Sequence, residues 1–200
     1  TILSGKIEEI PDEGSLWPET YFYTHATPRA DLINRMQATQ VIVLEKAWVE
    51  RQKGLPYTNS LEAVIMASII EKEASENHER RLVAGVLLNR LRLGMRLQSD
   101  PTVLYEKSKE TVSSATITKT DLSANTPWNT YVIRGLPKTP ICNPGKGSIL
   151  AALHPAKTNY LYFVSDGRGG LRFAKTLEAH NLNVRLFRQY KAEEKKGIGK

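Results

Sequence analysis

Two glutamates, Glu71 and Glu73, close the stretch Asn59–Glu73, which is otherwise apolar on nearly every face. A buried carboxylate is expensive unless it is paired or has a task, so this is where chemistry is sought first. At about 100° per residue on a helix the two acids diverge too far to share one cleft. Glu73 continues the line Glu62, Met66, Ile69, whose first member is already polar; Glu71 continues Val64 and Ala67, which read as core. That geometry favours Glu73 as the carboxyl facing a groove that solvent can reach. The plainer alternative is two solvated acids at a fraying helix end, and on this stretch alone both readings stand.

Other chemistries find less support. His25, His78, His154 and His180 are far apart, and none pairs with another at the spacing of a metal site. No serine sits in a glycine-framed strand-turn-helix elbow. Nucleotide-binding loops and the aromatic strands of RNA-binding modules are also missing. No metal or other cofactor is expected. What remains is carboxyl chemistry in a groove that also offers amides, hydroxyls and rings. Asn89, Gln98, Asp100, Tyr105, Asn129 and Tyr131 occupy the densest polar and aromatic segments, an inventory that suits hydrogen bonding to sugar hydroxyls and stacking on sugar faces. Each of them taken singly also reads as a turn residue or a satisfied core group. Arg90 and Thr102, in the same segments, complete the set expected to bind substrate.

The elements that must hold these side chains are largely helical. Asn59 with Glu62 three residues on is a capping pair for the apolar helix. Thr27-Pro28 starts an earlier helix, running to about Arg51 with Leu32, Met36, Val43 and Ala47 inward. After a polar break at Ser75–His78, Leu82, Val83, Val86, Leu87 and Leu91 mark a third helix ending at Gly94. Asp100-Pro101 reads as a chain break. Residues 106–125 read as an exposed excursion, and 127–145 as a dense loop leading into a short helix from about Gly147 to Leu153. Tyr160–Val164 is a strand that Asp166–Gly170 turns back into Leu171–Phe173, and a last helix covers about Leu177–Tyr190. The aromatic cluster Trp17–Tyr23 is expected to plug the core. The fold class is α+β: a buried helix, surrounding helices and a small antiparallel hairpin, in a single domain over residues 1–200.

At 200 residues with net charge +7, the chain suits a polyanionic partner, nucleic acid or an acidic polysaccharide. Part of that charge lies in residues 191–200, where Lys191, Lys195, Lys196 and Lys200 read as a solvated tail. Cys142 is the sole cysteine, so no intrachain bridge forms. No run approaches the ~20 apolar residues of a membrane span. The start at Thr1-Ile2-Leu3 fits a fragment freed from an anchor.

Several segments in order resemble the YceG-like family, the endolytic murein transglycosylases. They are Ala67–Glu73, Asn89-Arg90-Leu91, Gly94–Tyr105, Asn129-Thr130-Tyr131, Gly135-Leu136-Pro137, Asn143-Pro144-Gly145, His154–Lys157 and Tyr160–Val164. The resemblance spans about Trp17 to Asn181; Trp128 departs from it, standing where a tyrosine is common. It implies a catalytic domain on the periplasmic or extracytoplasmic face of the inner membrane, cut from a protein with an N-terminal transmembrane anchor and a LysM-like region. Glu73 aligns with the catalytic glutamate and Glu71 with a supporting acid. The implied substrate is peptidoglycan glycan strands, with peptidoglycan synthases as partners and no specific nucleic acid. Two rivals remain: a hydrolytic muramidase using Asp100 as second acid, and a non-catalytic glycan- or nucleic-acid-binding module.

Overall fold

The structure, a computed structural model, describes residues 2–110 and 116–197. Eight successive residues of α2 (Ser60–Glu73), Ala63 to Ile70, are buried. Met66, Ala67, Ile69 and Ile70 have no exposed surface at all. A helix apolar on every side must be enclosed on every side, and the rest of the fold supplies that enclosure. α1 (Arg29–Val49), α3 (Asn77–Arg92), α4 (Asp100–Glu110) and α6 (Lys146–Leu153) all pack on α2. Asn59 Oδ1 accepts from the Glu62 amide at 3.1 Å, while Glu62 reaches back to the amide of Thr58 at 2.7 Å, one residue earlier than a standard capping box.

β1 (Tyr162–Ser165) and β2 (Leu171–Ala174) form an antiparallel hairpin, with Tyr162 opposite Ala174 and Ser165 opposite Leu171. α7 (Leu177–Gly197) packs on both strands, and β1 also touches α3. The fold is therefore α+β, with helices around one buried helix and a small hairpin to one side. Buried Glu79 of α3 accepts from the Leu171 amide at 2.7 Å and ties the hairpin to the helical body.

Local differences from the sequence reading have local causes. Asp100-Pro101 opens α4 instead of breaking the chain, because a proline in the first helical turn gives up no needed amide. The 106–125 segment is less free than its composition suggests. Its first part continues α4, and α5 (Lys119–Ser123) starts at a capping box between Thr118 and Asp121, with Lys107 bonded to Asp121 at 2.9 Å. Residues 111–115 lie outside the described residues. On α1 the buried positions are Ala47, as expected, and Gln40, whose amide donates to the Gly14 carbonyl at 2.9 Å. Of the aromatic cluster Trp17 is core, whereas Phe22 is 86% exposed. α7 carries the basic segment onward to Gly197; Lys200 lies outside the described residues.

Candidate active site

α2 ends at Glu73, with Ala74 already extended, so the helix delivers a carboxyl from the core to the edge of a groove. The groove holds about 500 Å³, and its lining residues fall into two sets. One is polar: Glu73, Gln98, Asp100 and Tyr131. The other comes from the hairpin and α7 and includes Tyr162, Phe163, Val164, Leu171, His180 and Val184. Glu73 is neither exposed nor sealed off. Burial raises its pKa from 4.5 to about 7; a hydrogen bond from Ser99 opposes that rise, and the charge of Asp100 adds to it. A carboxyl so placed is present in both protonation states near neutral pH.

Ser99 Oγ donates to Glu73 Oε1 at 2.6 Å. The serine is itself fixed by a buried hydroxyl network. Its amide donates to Thr130 Oγ1 at 2.9 Å, Thr102 Oγ1 donates to its carbonyl at 2.6 Å, and the two threonine hydroxyls lie 2.9 Å apart. All three residues are buried, so solvent does not compete for these bonds. Gln98, just before the serine, has φ 51, a left-handed conformation that costs a non-glycine residue energy. Its amide donates to the Thr130 carbonyl at 3.1 Å, which helps to hold it there.

Arg90 lines the groove and is tied to its surroundings. Its Nε donates to the Leu161 carbonyl at 2.6 Å, and Nη1 reaches the Arg96 and Leu97 carbonyls at 3.1 and 3.0 Å. Its Cζ stands 5.0 Å from the centre of the Tyr162 ring, a cation–π distance. Desolvation pulls its pKa below the usual arginine value. Tyr131 donates its hydroxyl proton to Asp100 Oδ1 in a short bond, and burial with that bond pushes the phenol pKa up.

Four expected site residues lie elsewhere. Asn89 donates to the carbonyls of Thr158 and Tyr160 at 2.8 and 3.1 Å, strapping the chain ahead of β1 to α3. Asn129 donates to the carbonyls of Asp121, Leu122 and Ala124 and accepts from the Tyr131 amide. Thr102 serves the hydroxyl network, and Tyr105 pairs edgewise with Trp128 at 5.8 Å. None of the four lines the groove. Glu71 turns away from Glu73: Oε2 accepts from the Gly145 amide at 3.0 Å, and Oε1 pairs with Arg80 at 3.6 Å. There it caps α6, where a negative charge is favoured by the helix dipole. Ser99, Thr130, Tyr162 and His180 were not singled out from sequence. Ser99 and Thr130 sit inside recognised segments, between residues that were. For His180 no local signal exists.

An α+β domain with a carboxyl of raised pKa at the end of its central helix, beside an open groove, offers a group that can give and take a proton near neutral pH. The chain belongs to the YceG-like family, whose model matches residues 3–186. It is 41% identical over 172 residues to an endolytic murein transglycosylase of Bacillus subtilis (strain 168), covering 86% of this chain and 46% of that protein. A relative from Streptococcus pneumoniae serotype 2, named likewise, is 33% identical over 176 residues, with 86% and 31% covered. The chain thus spans less than half the length of these curated relatives. A crystal structure described as a yceG-like protein from Listeria monocytogenes superposes with a TM-score of 0.73 at 40% identity, covering 84% of this chain and 54% of that one. Among the described residues no helix is long and apolar enough to cross a membrane.

Proposed function

We propose that this chain is the catalytic part of an endolytic murein transglycosylase, acting on peptidoglycan at the extracytoplasmic face of the membrane, where the synthases that extend glycan strands work. The observation that carries the reading is Glu73: one carboxyl with a pKa of about 7, held by Ser99 at the edge of a groove. The relatives' names supply the substrate class.

The chemistry needs one acid. Protonated Glu73 gives its proton to the oxygen between N-acetylmuramic acid and N-acetylglucosamine as the C1–O bond breaks. The N-acetylglucosamine end leaves with a free hydroxyl, and positive charge gathers at the muramic acid C1. Asp100, which lines the same groove, offers negative charge to that centre. Ionised Glu73 then takes the proton of the muramic acid's own 6-hydroxyl, whose oxygen closes on C1. The product is a 1,6-anhydro sugar, no water is consumed, and Glu73 is protonated again. The bond from Ser99 favours the ionised form and so assists proton release in the first half of this cycle, while burial keeps the acid protonated at the start and raises the basicity that the second half uses.

A hydrolytic muramidase is the second reading, because Asp100 lines the same groove and could activate water. Digestion of murein in heavy-oxygen water separates the two. Transglycosylation yields anhydro ends, unlabelled and one water lighter than hydrolytic ends; labelled, reducible muramic acid ends would overturn the one-carboxyl scheme.

A further inference from the structure

The polar groups lining the groove are mostly committed within the protein. Arg90 serves backbone carbonyls, Tyr131 serves Asp100, and Ser165 Oγ accepts from the Gly167 amide at 3.1 Å. His180 is different. It lines the groove from the first turns of α7, stacked on Tyr162 with ring centres 5.2 Å apart and planes 23° from parallel. Its Nδ1 is buried with no hydrogen-bond partner. An orphaned donor is rarer in protein interiors than an orphaned acceptor, so a proton does not belong on that nitrogen. The half-buried ring, which lines the groove, is therefore assigned its proton on Nε2.

We propose that His180 is a substrate-binding residue, whose neutral ring presents Nε2–H to an acceptor oxygen of the glycan, the acetamido carbonyl of an amino sugar. Three features support the assignment beyond the orphaned nitrogen. The residue comes from a separate element, α7, and lines the same groove as Glu73, so a sugar bound there is within the reach of both elements. Stacking on Tyr162, itself covered by the immobilised Arg90, fixes the plane of the imidazole before substrate arrives, which spares ordering cost on binding. Burial, and next the charge of Arg90, hold the imidazole pKa below its ordinary value, so the ring stays neutral when murein is bound near neutral pH. A neutral donor suits an amide carbonyl and adds no positive charge near the C1 centre.

The inference rests on the murein reading, so the test begins in an inactive background. The probe is a tetrasaccharide of alternating N-acetylglucosamine and N-acetylmuramic acid, and binding to the Glu73→Gln protein is measured by calorimetry. Adding His180→Phe keeps the ring stack and removes the donor; affinity is expected to fall about tenfold. Adding His180→Gln instead puts an amide donor near the Nε2 position and is expected to recover much of the loss. Equal affinity in the Phe variant, or no recovery with Gln, overturns the role of His180 and leaves the murein reading intact. Failure of the Glu73→Gln protein to bind the tetrasaccharide removes both. Nitrogen NMR of the Glu73→Gln protein with His180 unsubstituted gives an independent check that needs no change at position 180: His180 is expected as the Nε2–H tautomer, with its Nε2 resonance moved by the tetrasaccharide. The opposite tautomer, or an unmoved resonance, overturns the proposal.

Discussion

Glu73 titrates at about 7 in the folded chain against an ordinary 4.5, so its ionisation and the stability of the fold are linked. The folded-state pKa is raised; the protonated form is therefore the one the fold prefers. Its contribution is complete below about pH 4.5 and is lost as pH climbs through 7. Glu73→Gln removes the titration and keeps the shape. The variant should be more stable than the parent by on the order of 2 kcal/mol near pH 8 and no different near pH 4, read by urea unfolding at both. The same substitution should cost activity by at least ~10²–10⁴-fold, because one group serves as both acid and base. Ser99 gives a finer test. Its hydrogen bond lowers the Glu73 pKa, so Ser99→Ala should move the alkaline limb of kcat/KM to higher pH while slowing turnover. A pH–rate profile with an unmoved limb would separate the serine from the acid.

Elements decide which residues can reach the groove, and α3 shows how. Gly85 lies mid-helix, where alanine would ordinarily gain about 1 kcal/mol over glycine. A Cβ there would stand 2.5 Å from the Ala156 carbonyl oxygen and 2.8 Å from Thr158 Cγ2. Backbone cannot yield as a side chain would, so Gly85→Ala should reverse sign and destabilise by roughly 2 kcal/mol. Because the displaced segment leads into β1 and Tyr162, KM should rise as well; thermal unfolding and initial rates check both parts. One turn further on, Asn89 straps that same segment from the same helix face. Here the sequence reading reached its limit. Amides placed to read sugar hydroxyls and amides placed to hold backbone carbonyls have the same composition, so Asn89 and Asn129 fit either role until their partners were seen. Gln98, Asp100 and Tyr131 fitted the same inventory and do line the groove with Glu73. Helix periodicity and capping made α2 and α3 legible, loop punctuation marked the start of α6, and the wheel angle favoured Glu73 over Glu71 as the groove-facing acid. His180 reaches the groove through tertiary packing of α7 on the hairpin, which no local pattern encodes.

Across the whole molecule, a net charge of +7 is spread over a surface whose groove keeps its own arginine tied to carbonyls. The excess charge therefore acts through the long-range field, gathering a polyanion, and not through ion pairs at the reacting bond. Peptide stems carry carboxylates along murein strands, and a strand stripped of its stems still bears one lactyl carboxylate on each muramic acid. At low salt the field extends ~30 Å into solvent, and at 1 M only ~3 Å. Raising salt should then raise KM on intact murein several-fold and leave kcat nearly unchanged, since desolvated Glu73 and Ser99 are little screened. On glycan stripped of its stems and with those lactyl carboxyls amidated, the KM dependence should largely vanish. A kcat that fell with salt on both substrates would mean that the charge works inside the groove, and Arg90, the cation lining it, would then be the residue to vary.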